Sequence, residues 1–80
     1  MHRTSLTVHP DDNVATLFDG RDGLSSHGDG APCAEGVPFG HKIALHSVRT
    51  GDPIIKYGIV IGHATSDIEP GDHVHVHNVR

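Results

Sequence analysis

Hydrophobic and polar residues alternate in short runs along the chain, and Gly, Pro and Asp separate these runs. Alternating runs and short β-branched runs predict β-strands, because successive side chains of a strand point to opposite faces. The runs that we predict as strands are 5–9, 13–18, 41–48, 54–57, 59–61 and 73–77. The turns that Pro, Gly and Asp predict are 10–12, 50–53 and 69–72. Short strands with turns at intervals of about ten residues predict an all-β domain.

Two segments need a separate interpretation. The run 13–18 also fits the start of a capped helix, but it is short and closed by Asp19-Gly20, so a strand is preferred. The segment 19–36 is rich in Gly, Asp and Ser and poor in large apolar residues, which predicts a long flexible loop. Cys33 lies in this loop, and we interpret it as incidental because no base is positioned to activate it.

Length and charge restrict the classes of function. A chain of 80 residues forms one domain, 1–80, with a modest core. The formal net charge is −4, with 6 Lys and Arg against 10 Asp and Glu, which argues against a nucleic-acid-binding protein. No apolar run approaches the roughly 20 residues of a membrane-spanning helix, so no membrane partner is expected. A single cysteine favours the reducing cytoplasm.

Histidine is the unusual feature of the composition, with 9 residues in the chain. In the predicted strand 73–77, His73, His75 and His77 share one face, while Val74 and Val76 point to the core. Two of these imidazoles could bind one divalent metal ion, with a third ligand from elsewhere in the chain or from a partner. The other interpretation is a solvated polar face that binds no metal.

Lys42 and Lys56 each lie beside a glycine-containing turn at the end of an apolar strand. Two lysines brought together could hold a carboxylate or a sulfonate, since an ammonium group offers three donors. Ordinary solvated lysines are the alternative. From its own surroundings in the sequence, Tyr57 fits packing better than acid catalysis.

Four stretches together resemble the SAF-type β-clip domain of altronate dehydratases and the small subunit of (2R)-sulfolactate sulfo-lyases. They contain the segments Val8-His9-Pro10-Asp11-Asp12-Asn13, Gly40-His41-Lys42-Ile43, Lys56-Tyr57-Gly58 and His75-Val76-His77-Asn78. Galactarate dehydratases share the Gly-His-Lys pattern. The resemblance covers most of the chain except 19–36, and it implies a small SAF-like β-clip fold.

The resemblance also implies a function. The family contains hydro-lyases that remove water from sugar acids such as altronate, with ferrous iron or manganese as the metal, and most of their machinery belongs to a larger domain or subunit. The chain is therefore expected to be inactive alone. The alternatives are the alpha subunit of a sulfolactate sulfo-lyase and a non-catalytic module that binds sugar acids. The substrate among altronate, galactarate and sulfolactate stays open, as does self-association.

The residues that match the family motifs are the implied site. The implied catalytic residues are His41, His75 and His77. The implied substrate-binding residues are Lys42, Lys56, Tyr57, Asn13 and Asn78. The implied metal ligands are His9, His75 and His77. Whether the metal is held mainly by the partner chain is left open. His73 precedes the matching motif and ranks lower.

Overall fold

The computed structural model describes residues 1–80 and contains eight short β-strands and no α-helix. The strands are β1 (Ser5–Leu6), β2 (Val14–Leu17), β3 (Ser26–His27), β4 (Ala31–Pro32), β5 (Lys42–Ala44), β6 (Pro53–Lys56), β7 (Ile59–His63) and β8 (His73–Val74). The all-β prediction is confirmed. The structure has no helix of the length and apolarity needed to cross a membrane.

The central sheet has the antiparallel order β1-β2-β5-β8, and both of its faces are covered. All four residues of β2 are buried, although neighbouring residues point to opposite faces. Val14 packs on one side with Ala44 and Val74. Ala15 packs on the other side with Ile43. The strand 13–18 predicted from sequence is therefore confirmed as the buried centre of the sheet.

Different parts of the chain cover the two faces. The β6–β7 hairpin and the segment around Ile68 cover the face of Val14, where Ile54 is fully buried. The other face is covered by the segment that holds Cys33 and Val37, which are both buried. Strands β2 and β5 therefore lie between two apolar clusters, with Val14 and Ala44 in one and Ala15, Leu17 and Ile43 in the other.

The segment 19–36 is more ordered in secondary structure than its composition predicts. It contains the β3–β4 hairpin, and Arg3 bridges to His27 beside it. Gly71 packs closely against β4: its φ is 87°, and a Cβ built there would lie only 2.6 Å from the carbonyl oxygen of Pro32. The predicted flexible loop therefore contains a short β-hairpin that the sequence did not predict, because backbone pairing and close approach replace the missing apolar side chains. Its flexibility stays a prediction.

The predicted strand 73–77 is also shorter than expected. Strand β8 ends at Val74, and residues 76–78 form a turn. Val76, expected in the core, is 83% exposed. The prediction is wrong beyond Val74, because the Asn78 side chain bonds the backbone of this segment in place of a neighbouring strand.

Candidate functional site

Histidine side chains meet at the outer edge of the central sheet, where β8 pairs with β5. Residue 43 lies opposite His73 in this pairing, so His73 and His41, two residues before Ile43, share one face. His41 Nδ1 lies 2.9 Å from His73 Nε2. The His75 ring stacks on His41 with 4.3 Å between centroids. The His77 ring lies beside His73, at 5.2 Å.

The side chain of Asn78 bonds the backbone of the residues that carry two of these histidine rings. Its side chain is buried, its Oδ1 accepts a hydrogen bond from the His75 backbone N–H at 3.0 Å, and its Nδ2 donates to the His73 carbonyl at 2.9 Å. Both polar atoms of the amide are therefore used within the chain. Asn78 therefore holds the backbone of two histidines, and its role in substrate binding stays a prediction.

Three imidazoles in this cluster satisfy the distance requirement of a metal site. One ring nitrogen from each of His41, His73 and His75 lies within 4.8 Å of the other two. Two nitrogens bonded at about 2.0–2.1 Å to a single ion lie about 3.0–3.4 Å apart. Imidazole is a ligand for iron, zinc, copper and nickel. The donor set therefore fits a divalent transition metal.

The surroundings favour the neutral imidazoles that a metal or a proton acceptor requires. Burial lowers the pKa of His73 below its usual range, and nearby His41, His77, His75 and Lys42 lower it further. The pKa of His75 is lowered in the same direction, first by desolvation and then by His41, Lys42 and His77. A positive charge on one ring thus disfavours a second charge on the next.

A cleft of about 280 Å³ adjoins the cluster. Its polar lining is Lys42, His75 and Arg80, and its apolar lining is Ile61, Val76 and Val79. Burial lowers the pKa of Lys42, and the charge of nearby Lys56 lowers it further. The cleft therefore combines positive charge with an apolar wall, which suits a small organic anion.

Comparison with known proteins adds to this geometry. Residues 3–80 match the family described as "Altronate/galactarate dehydratase SAF domain". The chain belongs to this family. Among curated relatives, the SAF domain is similar to altronate dehydratase of Bacillus subtilis, at 41% identity over 81 residues that span 98% of this chain and 16% of the relative.

Two further relatives carry other activities in their names. The (2R)-sulfolactate sulfo-lyase subunit alpha of Paracoccus pantotrophus is 48% identical over 44 residues, which are 55% of this chain and 66% of the subunit. Galactarate dehydratase (L-threo-forming) of Escherichia coli is 38% identical over 68 residues, 82% of this chain and 13% of the relative. The SAF domain thus spans about one sixth of the altronate dehydratases it matches. Its relatives are lyases, in which it corresponds to a small domain or a small subunit.

Several residues named from the sequence lie together in the SAF domain. His41 and His75 belong to the cluster, with His77 at its margin. Lys42 lies at the cleft, and the charge of Lys56 reaches it. The structure therefore brings together the histidines and lysines that the motifs placed in three separate strands and turns.

His9 lies apart from the three clustered imidazoles. Its ring packs against Gly58, where a built Cβ would lie 2.8 Å from His9 Cδ2, and its Nδ1 accepts the Asp11 backbone N–H at 3.1 Å. Asn13 is similarly engaged, since it accepts from the Ile55 N–H and donates to the Pro53 carbonyl. Their roles as metal and substrate ligands stay predictions.

Tyr57 lies exposed at the tip of the β6–β7 hairpin. Its φ is 57° and that of Gly58 is 74°, so both central residues of the turn are left-handed, as in type I′ turns. The Lys56 ammonium lies 4.9 Å from the centre of the Tyr57 ring.

The sequence patterns gave little weight to two residues that lie at the site. His73 ranked below its neighbours, yet it contacts His41 and His77. Arg80 was not among the residues predicted for the site, yet it lines the cleft. The position of His73 in an alternating run gave a signal, whereas the pairing of 63 with 80 that positions Arg80 has no local signature.

Proposed function

We propose that this SAF domain is the small part of a hydro-lyase that acts on sugar acids such as altronate and that a larger catalytic domain or subunit completes it. The observation that carries the proposal is the cleft in which Lys42 and Arg80 adjoin the histidine cluster through His75. Relatives named altronate dehydratase add support. The domain alone is expected to be inactive, because it spans only about one sixth of the altronate dehydratases that it matches.

In this proposal the cations hold the substrate carboxylate. Lys42 and Arg80 line the cleft, and Lys56 adds positive charge nearby. Dehydration beside a carboxylate removes a proton from the carbon next to it and protonates the departing hydroxyl. An imidazole beside the cleft can accept and return protons near neutral pH. We assign this task to His77, which is exposed next to the cluster. His41 and His75, whose rings stack on each other, are assigned to the metal ion, because a nitrogen bound to an ion cannot accept a proton.

We also propose a divalent metal cofactor, ferrous iron or manganese. When bound, such an ion supplies Lewis acidity for the carboxylate and the departing oxygen. The cytoplasm remains the expected location.

The larger catalytic part is proposed to cover the β7 side of the cleft. Ile59, Val60 and Ile61 lie exposed in succession on β7, and Ile61 also lines the cleft. Apolar surface of this kind marks contact with another protein surface. Its continuity with the cleft and the much greater length of the relatives favour the catalytic part of the same enzyme as the occupant.

Reconstitution tests the proposed function. The chain is co-expressed with the large dehydratase-like protein of its own organism, co-purified, and assayed for a 2-keto-3-deoxy product from altronate with added iron or manganese. We expect activity only in the complex. Stable binding of sugar acids by a chain that finds no large partner would support the non-catalytic module instead.

Variants locate the roles within that assay. Lys42→Met is expected to raise KM about tenfold or more, because a charge-assisted bond to the carboxylate is lost. Arg49→Met, which removes an exposed cation elsewhere, is the matched control. Ile59→Asp is expected to weaken co-purification, whereas Leu6→Asp, on exposed strand β1, is not. Unchanged kinetics in Lys42→Met would remove the assigned carboxylate role.

A second candidate is the alpha subunit of a sulfolactate sulfo-lyase. The observation that favours it is the 48% identity to a relative that is itself a small, separate subunit. Sulfonate and carboxylate are both anions that Lys42 and Arg80 could hold. Release of sulfite from sulfolactate by the reconstituted pair, without dehydration of altronate, would select this candidate.

A further inference from the structure

We propose that His41, His73 and His75 bind one divalent transition-metal ion through three imidazoles of this chain alone. The inference rests on the proposed function for its use of a metal, and it names which residues hold the ion. It differs from the set His9, His75 and His77 that the family resemblance implies.

Geometry favours the three clustered histidines. Their ring nitrogens lie within 4.8 Å of one another, and one pair is already at 2.9 Å. This pair is close to the separation of about 3.0–3.4 Å expected for two nitrogens on one ion. The remaining adjustment needs only side-chain rotation of rings that are partly exposed.

The backbone beneath the rings is fixed before any ion binds. His41 precedes β5, and its carbonyl accepts the Leu17 N–H of β2 at 3.0 Å. His73 belongs to β8, and Asn78 ties both His73 and His75. Three ligands on hydrogen-bonded backbone lose little freedom on binding, which favours affinity.

The two other histidines of the implied set are placed less well. His9 is packed against Gly58 and bonded to the Asp11 N–H, so it would have to leave these contacts. His77 lies next to His73 but is not one of the three residues whose nitrogens converge. His77 is therefore a flanking group at the site and not a ligand.

The ligand chemistry restricts the ion. Three neutral nitrogen donors suit Fe²⁺, Zn²⁺, Ni²⁺ or Cu²⁺, whereas Mg²⁺, Ca²⁺ and Mn²⁺ prefer oxygen. Of the two ions proposed above, the cluster therefore favours ferrous iron over manganese. Three protein ligands also leave coordination positions for water or substrate, as in catalytic metal sites. Since His75 belongs to both the cluster and the cleft, the ion would be held at the margin of the space proposed for the substrate.

The test is metal titration of the purified 80-residue chain, followed by calorimetry, with Zn²⁺ and with Fe²⁺ under anaerobic conditions. One ion per chain is expected, and Mg²⁺ should not compete. His41→Ala, His73→Ala and His75→Ala should each weaken binding by at least about tenfold, since even loss of a supporting group costs that much. His46→Ala, an exposed histidine outside the cluster, is the matched control and should bind normally.

A second measurement on the unaltered chain avoids any doubt about folding of the variants. Paramagnetic Co²⁺ should shift the ring proton NMR signals of His41, His73 and His75 most strongly. The inference is overturned if no ion binds, or if His9→Ala and His77→Ala weaken binding while His41→Ala and His73→Ala do not. Because these readouts use no substrate, failure of the lyase assay with intact metal binding would contradict only the proposed function.

Discussion

Histidines lie in two contrasting regions of this domain, the β3–β4 hairpin and the β5–β8 edge. His27 of the hairpin is buried, its Nδ1 lies 2.8 Å from the Ser5 hydroxyl, and burial lowers its pKa. At the β5–β8 edge, His41, His73 and His75 contact mainly one another and remain partly exposed. The difference teaches that free ligand capacity, and not the number of histidines, marks the candidate site.

Charged residues repeat the contrast. Arg3 is 1% exposed and directs its guanidinium to the Asp19 carboxylate, the Asp19 carbonyl and the Val37 carbonyl. Lys42 instead lies near another cation, Lys56, at an open cleft. One cation has its partners within the fold, whereas the other lines an open cleft, where we propose that it binds an anion.

The largest effect on stability should come from removing Arg3, the cation whose partners lie within the fold. Arg3→Ala removes a buried guanidinium and leaves the Val37 carbonyl without its donor. We expect the free energy of unfolding to fall by about 3 kcal/mol, because a buried charged network loses its centre. Urea denaturation followed by circular dichroism measures this loss.

Arg21→Ala is the control for that experiment, because Arg21 is exposed and belongs to the same polar segment. Its effect should stay within about 0.5 kcal/mol. A loss below about 1 kcal/mol for Arg3→Ala would contradict the view that the first residues and the segment 19–36 are held together by this arginine.

The next largest effect should come from acid, which protonates Asp12, a carboxylate that accepts hydrogen bonds from the backbone. Burial alone would raise the pKa of Asp12, but backbone N–H donors from Gly58, His9, Tyr57 and Val8 outweigh it and lower the pKa below the usual 3.8. The unfolded chain therefore takes up this proton at a higher pH than the folded chain. Stability from Asp12 is present above the usual pKa and is lost as the pH falls through the lower folded value.

Denaturant unfolding between about pH 6 and about pH 2 measures that loss. Asp12→Asn should be less stable at neutral pH and should lose less additional stability in acid. Asp11→Asn, an exposed neighbour, should keep the slope of the unaltered chain. An equal slope in Asp12→Asn and the unaltered chain would show that the carboxylate is not the acid-sensitive link between the 8–13 segment and the hairpin tip.

The sequence predicts the strands better than it predicts their partners. The run 13–18, preferred as a strand because it is short and closed by Asp19-Gly20, contains β2, and the predicted run 41–48 contains β5. The ring contact between His41 and His73 depends instead on a register that joins residues 32 apart, and no local pattern encodes it. The early end of β8 was missed for a similar reason, since Asn78 replaces a strand partner by bonding the backbone of His73 and His75.

Composition alone does not predict how the segment 19–36 is attached to the rest of the domain. Gly and Ser predict flexibility because they bury little apolar surface. In the structure, Cys33 within the segment and Val37 just after it reach the core, and the guanidinium of Arg3 bonds Asp19 at its start and the Val37 carbonyl just after its end. Few anchors suffice when each is fully buried, and such anchors are too sparse to show a periodic pattern.

The smallest expected effect concerns Tyr57, which is exposed at the tip of the β6–β7 hairpin. Tyr57 holds a left-handed φ of 57°, which disfavours residues with a Cβ but is tolerated by Asn. Tyr57→Asn should therefore raise the free energy of unfolding by about 1 kcal/mol. Differential scanning calorimetry would detect the higher Tm, and Phe18→Asn, at an exposed aromatic residue without positive φ, should not raise it.

The same variant separates a structural from a functional reason for the tyrosine. If Tyr57→Asn stabilises the chain and also raises KM in the reconstituted complex, the ring beside Lys56 serves the substrate at the cost of backbone strain. A higher Tm with unchanged kinetics would remove Tyr57 from the site and leave the anion to the lysines and Arg80. No gain in Tm would mean that the hairpin tip relaxes the strain, and the left-handed tyrosine would then carry no information about function.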